Sequence, residues 1–379
     1  MGRRHLATGV GVLAFAFLAL VSGFDRMSEQ RPSFGRFVPQ AFAATSSRRA
    51  AADFLLEPDV QAARGAAAAA ITKDPLEARS LGFLGTALLQ SGQVLPAHRA
   101  FLQAAKLSKR EPLSQLYFFE QELSVGSYAR AAARLDAFLR SVANRDVAQV
   151  MLAMFEERAG NGAYLTQRLA DSPRWADAYL RAEGADPERL RKRATFLARS
   201  DVSLDAIGCD AVLPMIRELG RLNFRTEADS VTRRHCPDRA PEGDIADAEF
   251  EAFGDDTAPL GWRRYRSGDV RVTRLAGDEA RIELENRSSV TRLVLSQPVS
   301  LAPGSYVIRA KVDGPGGQDL VASLNCTTPS RPRTQRQRID RDGQTLTAVT
   351  CADAVLGLWL RPGSGRVVVD RIELSPLNP

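Results

Sequence analysis

The stretch LGFLGTALLQSGQVLPAHRAF, residues 81–101, decides how the first half of this chain folds. Leu81, Leu84, Gly85 and Leu88 recur at three- and four-residue steps and so share one helix face. Ala97, Phe101 and Ala104 do the same beyond Gly92. Gly85 and Ala97 are small because two antiparallel helices cross closely there. Leu84, Leu88 and Phe101 have the bulk to fill a layer against the next helix pair, and Gly92 lets the chain turn.

Outward from this stretch the pattern repeats. Gly92, Gly126 and Gly160 stand 34 residues apart. Beyond Gly126, Tyr128, Ala131 and Leu135 recur in register, and one period earlier Ala63, Ala67 and Ala70 occupy the second helix, closed by Asp74-Pro75. Thirty-four residues is the tetratricopeptide period. On Leu84, Gly85, Leu88, Gly92, Ala97, Phe101, Gly126, Ala131 and Gly160, the segment 50–170 resembles the tetratricopeptide repeat (TPR) family. The central unit carries the resemblance. Phe118 and Phe119 replace the Leu–small pair in the third unit, and the fourth keeps its Gly and Leu169. A helical array with coincident glycines is the alternative. The resemblance implies a solenoid whose concave surface holds an extended peptide or a partner helix, hence a protein partner and assembly, not catalysis. From Pro173 to Cys236 helices continue without the period. Trp175, Tyr179 and Leu180 take packing positions in what is expected to be a helical cap, so the helical domain spans 50–236.

The N-terminus points to export. Arg3, Arg4 and His5 precede an uncharged run over residues 6–24. Its nineteen residues are enough to span hydrocarbon and exceed the roughly 7–15 of a signal-peptide core. Val21-Ser22-Gly23 and Ala41-Phe42-Ala43 both offer cleavage sites. Segment 1–24 is therefore a retained membrane anchor, a cleaved signal or a buried helix, and the first two export everything after Phe24. No Cys follows the run closely, which excludes a lipoprotein anchor. The expected location is the bacterial cell envelope: a single-pass inner-membrane protein with periplasmic domains, or a periplasmic one if the segment is cut. Residues 25–49, with Pro32, Pro39 and several Ser, are expected to be a flexible tether.

Cys209, Cys236, Cys326 and Cys351 fit an oxidising compartment. Two local disulfides, Cys209–Cys236 and Cys326–Cys351, are the simplest pairing, with four buried thiols the alternative. With three His in the chain and no two-residue Cys spacing, no metal site is expected. The 379 residues are 44% hydrophobic and 25% charged, which rules out wholesale disorder. A net charge of +6 over that length is no nucleic-acid signature.

After a Pro- and Gly-bearing linker at 237–246 the period changes to two. Strands are expected at 269–274, 280–285, 291–296, 305–312, 319–326, 345–351, 355–361 and 366–374, an antiparallel β-sandwich or jelly roll over 247–379. The fold class is thus α plus β, multidomain, with the helical solenoid first. Residues 299–308 (VSLAPGSYVI) and 365–374 (GRVVVDRIEL) resemble strands of carbohydrate-binding, galactose-binding-like jelly rolls. That resemblance implies glycan contact. Alternation leaves Arg309 and Lys311, Ser323 and Asn325, and Trp359 with Arg361 on the faces opposite the core sets. If those strands are neighbours, a Trp sits beside planar donors, which suits a sugar ring. Cover by a loop or by the helices is the competing expectation for Trp359, and Trp262 and Tyr265 are expected to pack at the sandwich edge. The run 331–341 carries five Arg, suited to an acidic polysaccharide, lipid phosphate or acidic protein, or to a solvated hairpin tip.

Catalytic patterns are missing. His5, His98 and His235 support no triad, Gly314-Pro315-Gly316-Gly317 lies between strands as a turn, and no phosphate loop occurs. Glu249 with Glu251, or Asp255 with Asp256, is a remote glycosidase pair, and Asp255-Asp256 an alternative calcium ligand set. The expectation is a non-enzymatic, cofactor-free envelope scaffold, in exopolysaccharide synthesis or export. A pure protein-assembly factor with a docking or dimerising β-domain is the alternative, and a polysaccharide hydrolase the remote one.

Overall fold

The computed structural model describes residues 2–159, 162–181, 186–199, 207–241, 243–254, 260–265, 267–275, 280–313, 319–326, 336–339, 344–363 and 365–377, without the side chains of 2–9, 344 and 346. The chain forms two units, residues 1–160 with 173–175, and residues 161–172 with 176–379.

The first unit is helical: α1 (Gly2–Gln30), α2 (Ala44–Leu56), α3 (Val60–Lys73), α4 (Ala78–Gln90), α5 (Val94–Leu107), α6 (Pro112–Ser124), α7 (Tyr128–Leu139) and α8 (Arg145–Ala159). Side-chain caps set the starts. Asp59 accepts from the Ala62 amide, Glu77 from Arg79, and Asn144 from Asp146 and Val147. Gly92 and Gly126 end α4 and α6 at φ of 75° and 74°, a backbone region costly for any residue with a Cβ. Helices pair as hairpins, α2 with α3, α4 with α5 and α6 with α7. The leading helix of each hairpin packs on the leading helix of the next.

The expected close crossing is present. A Cβ on Gly85 would sit 2.8 Å from the Phe101 ring. Phe101 stacks in turn on Tyr117 at 4.4 Å between centroids, which carries the core from one hairpin to the next. Leu88, Ala97, Phe101 and Ala131 are buried and Leu84 packs against the same cluster. Gly160 lies outside the described residues. The segment expected as a tether is ordered: α1 continues to Gln30, two 3-10 turns follow, and Asp25 accepts from Thr45 at the start of α2. Its polar contacts join residues about twenty apart, which leaves no periodic trace in the sequence.

The second unit contains α9 (Thr166–Leu169), α10 (Ala176–Leu180), α11 (Pro187–Arg199), α12 (Cys209–Arg221) and α13 (Arg225–His235), then ten strands: β1 (Arg263–Arg264), β2 (Val270–Leu275), β3 (Arg281–Asn286), β4 (Arg292–Ser300), β5 (Gly304–Asp313), β6 (Leu320–Cys326), β7 (Arg336–Arg338), β8 (Gln344–Val349), β9 (Asp353–Leu360) and β10 (Val367–Pro376). Two antiparallel sheets form, ordered β1-β4-β9-β6-β7 and β2-β3-β10-β5-β8. Leu356, Leu358 and Leu360 of one sheet and Ile308, Val369 and Ile372 of the other meet in one core. All eight expected strands are present. β1 and β7 were not legible, because two or three polar residues show no alternation.

Cys209 is bonded to Cys236 and Cys326 to Cys351. The first bridge ties the start of α12 to the end of α13. That hairpin is seated on the sandwich and does not belong to the first unit. Arg225 is fully buried, donates to Asp229 at 2.7 Å and to the Pro298 carbonyl at 2.8 Å, and Asp353 of β9 accepts from the Thr226 amide at 2.9 Å. The expected linker is also tied down, since Ile245 is buried and the Ala246 amide donates to Gln297 at 3.1 Å.

Candidate functional site

Along β9 the core takes Ala354, Leu356, Leu358 and Leu360, so Val355, Gly357 and Trp359 share the outer face. Register brings Val321 of β6 and Leu293 of β4 to either side of Trp359, and Ser323 beside Gly357. Ser323 lies opposite Arg336 on β7. The expected outward pair Ser323 and Asn325 is therefore beside Trp359, with the Asn325 amide donating to Ser323 Oγ at 3.2 Å.

Gly357 determines how the indole lies. A Cβ there would meet Trp359 Nε1 at 3.0 Å and Ser323 Oγ at 2.8 Å. With only hydrogen at Gly357, the ring bends down across the sheet and donates Nε1–H to Ser323 Oγ at 2.8 Å. The Arg336 guanidinium then covers the ring, 3.8 Å from its centroid. Trp359 is half-buried between glycine and guanidinium and offers no bare stacking platform while Arg336 holds this position. Arg336 belongs to the Arg-rich run, and its pairing with Trp359 was hidden because β7 was not legible; Arg331, Arg333 and Arg341 lie outside the described residues.

Two expected members do not join. Arg309 and Lys311 stand on β5 in the other sheet, where Arg309 donates to Ser375 Oγ at 3.1 Å and Lys311 pairs with Asp370 at 3.0 Å. Alternation assigns a residue to a face of its strand but not to a sheet, and β5 and β6 fall in different sheets. Arg361 follows the end of β9, exposed, with its amide on the Asp319 carbonyl. At the other edge of the Trp359 sheet the Tyr265 hydroxyl contacts Ser296 Oγ at 3.1 Å, and Arg263, whose pKa burial pushes down, donates to the Gly220 carbonyl at the end of α12. Trp262 is buried as expected, donating to the Asp247 carbonyl at 2.7 Å.

The acidic residues ahead of the sandwich line a separate cleft of about 690 Å³ with Arg239 and Arg371. Burial pushes the Asp244 and Asp247 carboxyls up, with the Ala252 amide opposing this at Asp247. Glu249 is held by Arg371 at 3.1 Å, and Asp255 and Asp256 lie outside the described residues. Among the described residues no group of three or more His, Cys, Asp or Glu could hold a metal ion. His98 contacts the Tyr117 hydroxyl at 3.2 Å, and His235 is buried against the Ile207 and Leu197 carbonyls.

One helix, Val10–Gln30, is long and apolar enough to cross a membrane, with mean hydropathy 1.7. With the two disulfides it marks an extracytoplasmic protein.

No protein-family model matches the chain, and no curated protein does. Among solved structures, accessory secretory protein 1, 2 and 3 of Streptococcus pneumoniae aligns over 29% of this chain and 87% of its own, at 7% identity and a TM-score of 0.24. TmCBM61, a carbohydrate-binding module in complex with β-1,4-galactotriose, aligns over 36% of this chain and 99% of its own, at 14% identity and a TM-score of 0.24. Likeness at that score carries no argument, so any function must be argued from the residues of this chain.

Proposed function

We propose that the chain is a non-enzymatic, membrane-anchored envelope scaffold whose TPR-like hairpins hold a protein partner. The stacking of α2, α4 and α6 carries this reading. An array whose leading helices pack one on the next buries one side of each hairpin and leaves a continuous helical surface, which in solenoids serves binding. The apolar helix Val10–Gln30 supports retention at the membrane. A photo-reactive residue at Leu89 of α4, and separately at Leu95 of α5, tests it in the full chain within its native envelope. A discrete cross-linked partner from one helix series supports the scaffold. No cross-link from either series sinks it.

The sandwich supports a second contact in the same reading, with an acidic polysaccharide. The favouring observation is the Arg336–Trp359 pair: guanidinium and indole together supply donors for carboxylates and an apolar ring for sugar C–H groups once Arg336 swings aside. Binding of the full chain in detergent to neutral and acidic polysaccharides, with W359A and R336A alongside, tests this. Saturable binding to acidic glycans, weakened by both substitutions, supports it. No binding across the panel leaves the sandwich as a docking module for protein.

A further inference from the structure

The apolar helix does not lead into free chain. Past Gln30 the backbone turns through two 3-10 segments, Pro32–Phe37 and Gln40–Phe42, and folds back along α1. Val38 and Ala43 bury in one cluster with Val21, and Phe24 packs against it. The Phe24 ring stacks on Phe34 at 5.9 Å and lies 5.9 Å from Phe37. Val21 and Phe24 both belong to the apolar run. At about 1.5 Å per residue, Val21 lies roughly 13 Å back along the axis from Gln30, so the returning segment reaches the level where the run ends.

The outer surface of this return is unusual for an exported protein. Phe37 is 54% exposed and Phe42 45% exposed, while Arg31 and Arg36 are exposed beside them. The Arg36 guanidinium sits 4.7 Å from the Phe37 centroid. The return is also fixed to the hairpins. Asp25 accepts from the Thr45 amide at 3.1 Å and from Thr45 Oγ1 at 3.0 Å. Glu29 pairs with Arg79 at 2.9 Å and with Arg48 at 3.5 Å, and its carbonyl accepts from Arg49.

We propose that residues 31–43 form a foot embedded in the bilayer interface: Phe37 and Phe42 enter the headgroup–acyl boundary and Arg31 and Arg36 contact lipid phosphates. The inference rests on the reading of α1 as a retained anchor. Exposed aromatic rings beside cations at the end of an apolar span are what the interface favours, since the rings leave water and the guanidinium groups reach phosphate oxygens. The occupant is lipid and not protein because the foot packs on residues of the span itself. Through Asp25 and Glu29 the foot sets the distance and tilt of the first hairpin over the membrane.

The test uses the full chain in vesicles of phosphatidylethanolamine and phosphatidylglycerol, with F37W and F42W made separately as probes at exposed positions. Lipids brominated near the headgroup are expected to quench the added indole emission about twofold, and lipids brominated at the chain ends to quench it less, as an interfacial depth requires. R36E is expected to reduce that quenching. Flotation and resistance to alkaline extraction report the anchor in the same samples. A chain that stays in the vesicles with both added indoles unquenched overturns the foot alone. A chain that extracts overturns the anchor, and the foot with it.

Discussion

Arg225→Ala is expected to be the most damaging single change in the second unit. The guanidinium is fully buried and joins α13 to β4 through Asp229 and the Pro298 carbonyl, 73 residues away. Truncation leaves a buried carboxylate without its cation and a buried carbonyl without its donor. Breaking such a pair from one side costs about 3–5 kcal/mol, most of it desolvation of the stranded acid. For a unit of this size that lowers the unfolding midpoint by roughly 8–16 °C. Replacing both partners, as R225M with D229L, removes the stranded charge and is expected to return stability to within about 1 kcal/mol of the parent. Hydrogen exchange against urea, read on peptides from β4 and β9, measures all three chains in detergent. A loss below about 1 kcal/mol for R225A, or additive effects in the double variant, refutes the argument that this ion pair joins hairpin and sandwich.

Three further outcomes follow from local geometry. Gly85→Ala drives a methyl into the Phe101 ring and is expected to cost about 1–3 kcal/mol by thermal unfolding, whereas Gly65→Ala, whose Cβ meets nothing within 4 Å, is expected to gain about 0.5–1 kcal/mol. Burial pushes the Glu111 carboxyl up, against the opposing amides of Ser114 and Leu113, so the folded pKa lies above the unfolded value of 4.5. The stability it contributes is full below that value and falls as pH rises through the folded pKa, and E111Q is expected to flatten that decline in a pH series of melting curves. Opening either disulfide by paired Cys→Ser changes releases a loop of 27 or 25 residues and is expected to cost about 3–4 kcal/mol in denaturant titration.

Features with a period were legible in the sequence. Alternation placed eight strands, and the three-and-four step at Leu84, Gly85 and Leu88 placed the first crossing with Phe101. Features without a period were not. The capping of Thr45 by Asp25, the burial of Arg225 under β4 and the cover of Trp359 by Arg336 each join polar groups at separations no local pattern encodes. The glycan-facing set was legible by half for the same reason. Ser323, Asn325 and Trp359 lie on adjacent strands of one sheet, while Arg309 and Lys311 were separated by a change of sheet.

β10, the strand furthest along the chain, is the middle strand of its sheet, paired on one side with β3 and on the other with β5. Until residue 376 has crossed the membrane those two neighbours have no partner between them, and the second unit has no core to collapse onto. An anchor that inserts first would hold some hundred residues of waiting strand beside the translocation pore, with open edges that invite pairing with other chains. Biosynthesis therefore has its slowest and most exposed step at the end, and a nonsense codon a dozen residues early removes half of a sheet and not merely a tail.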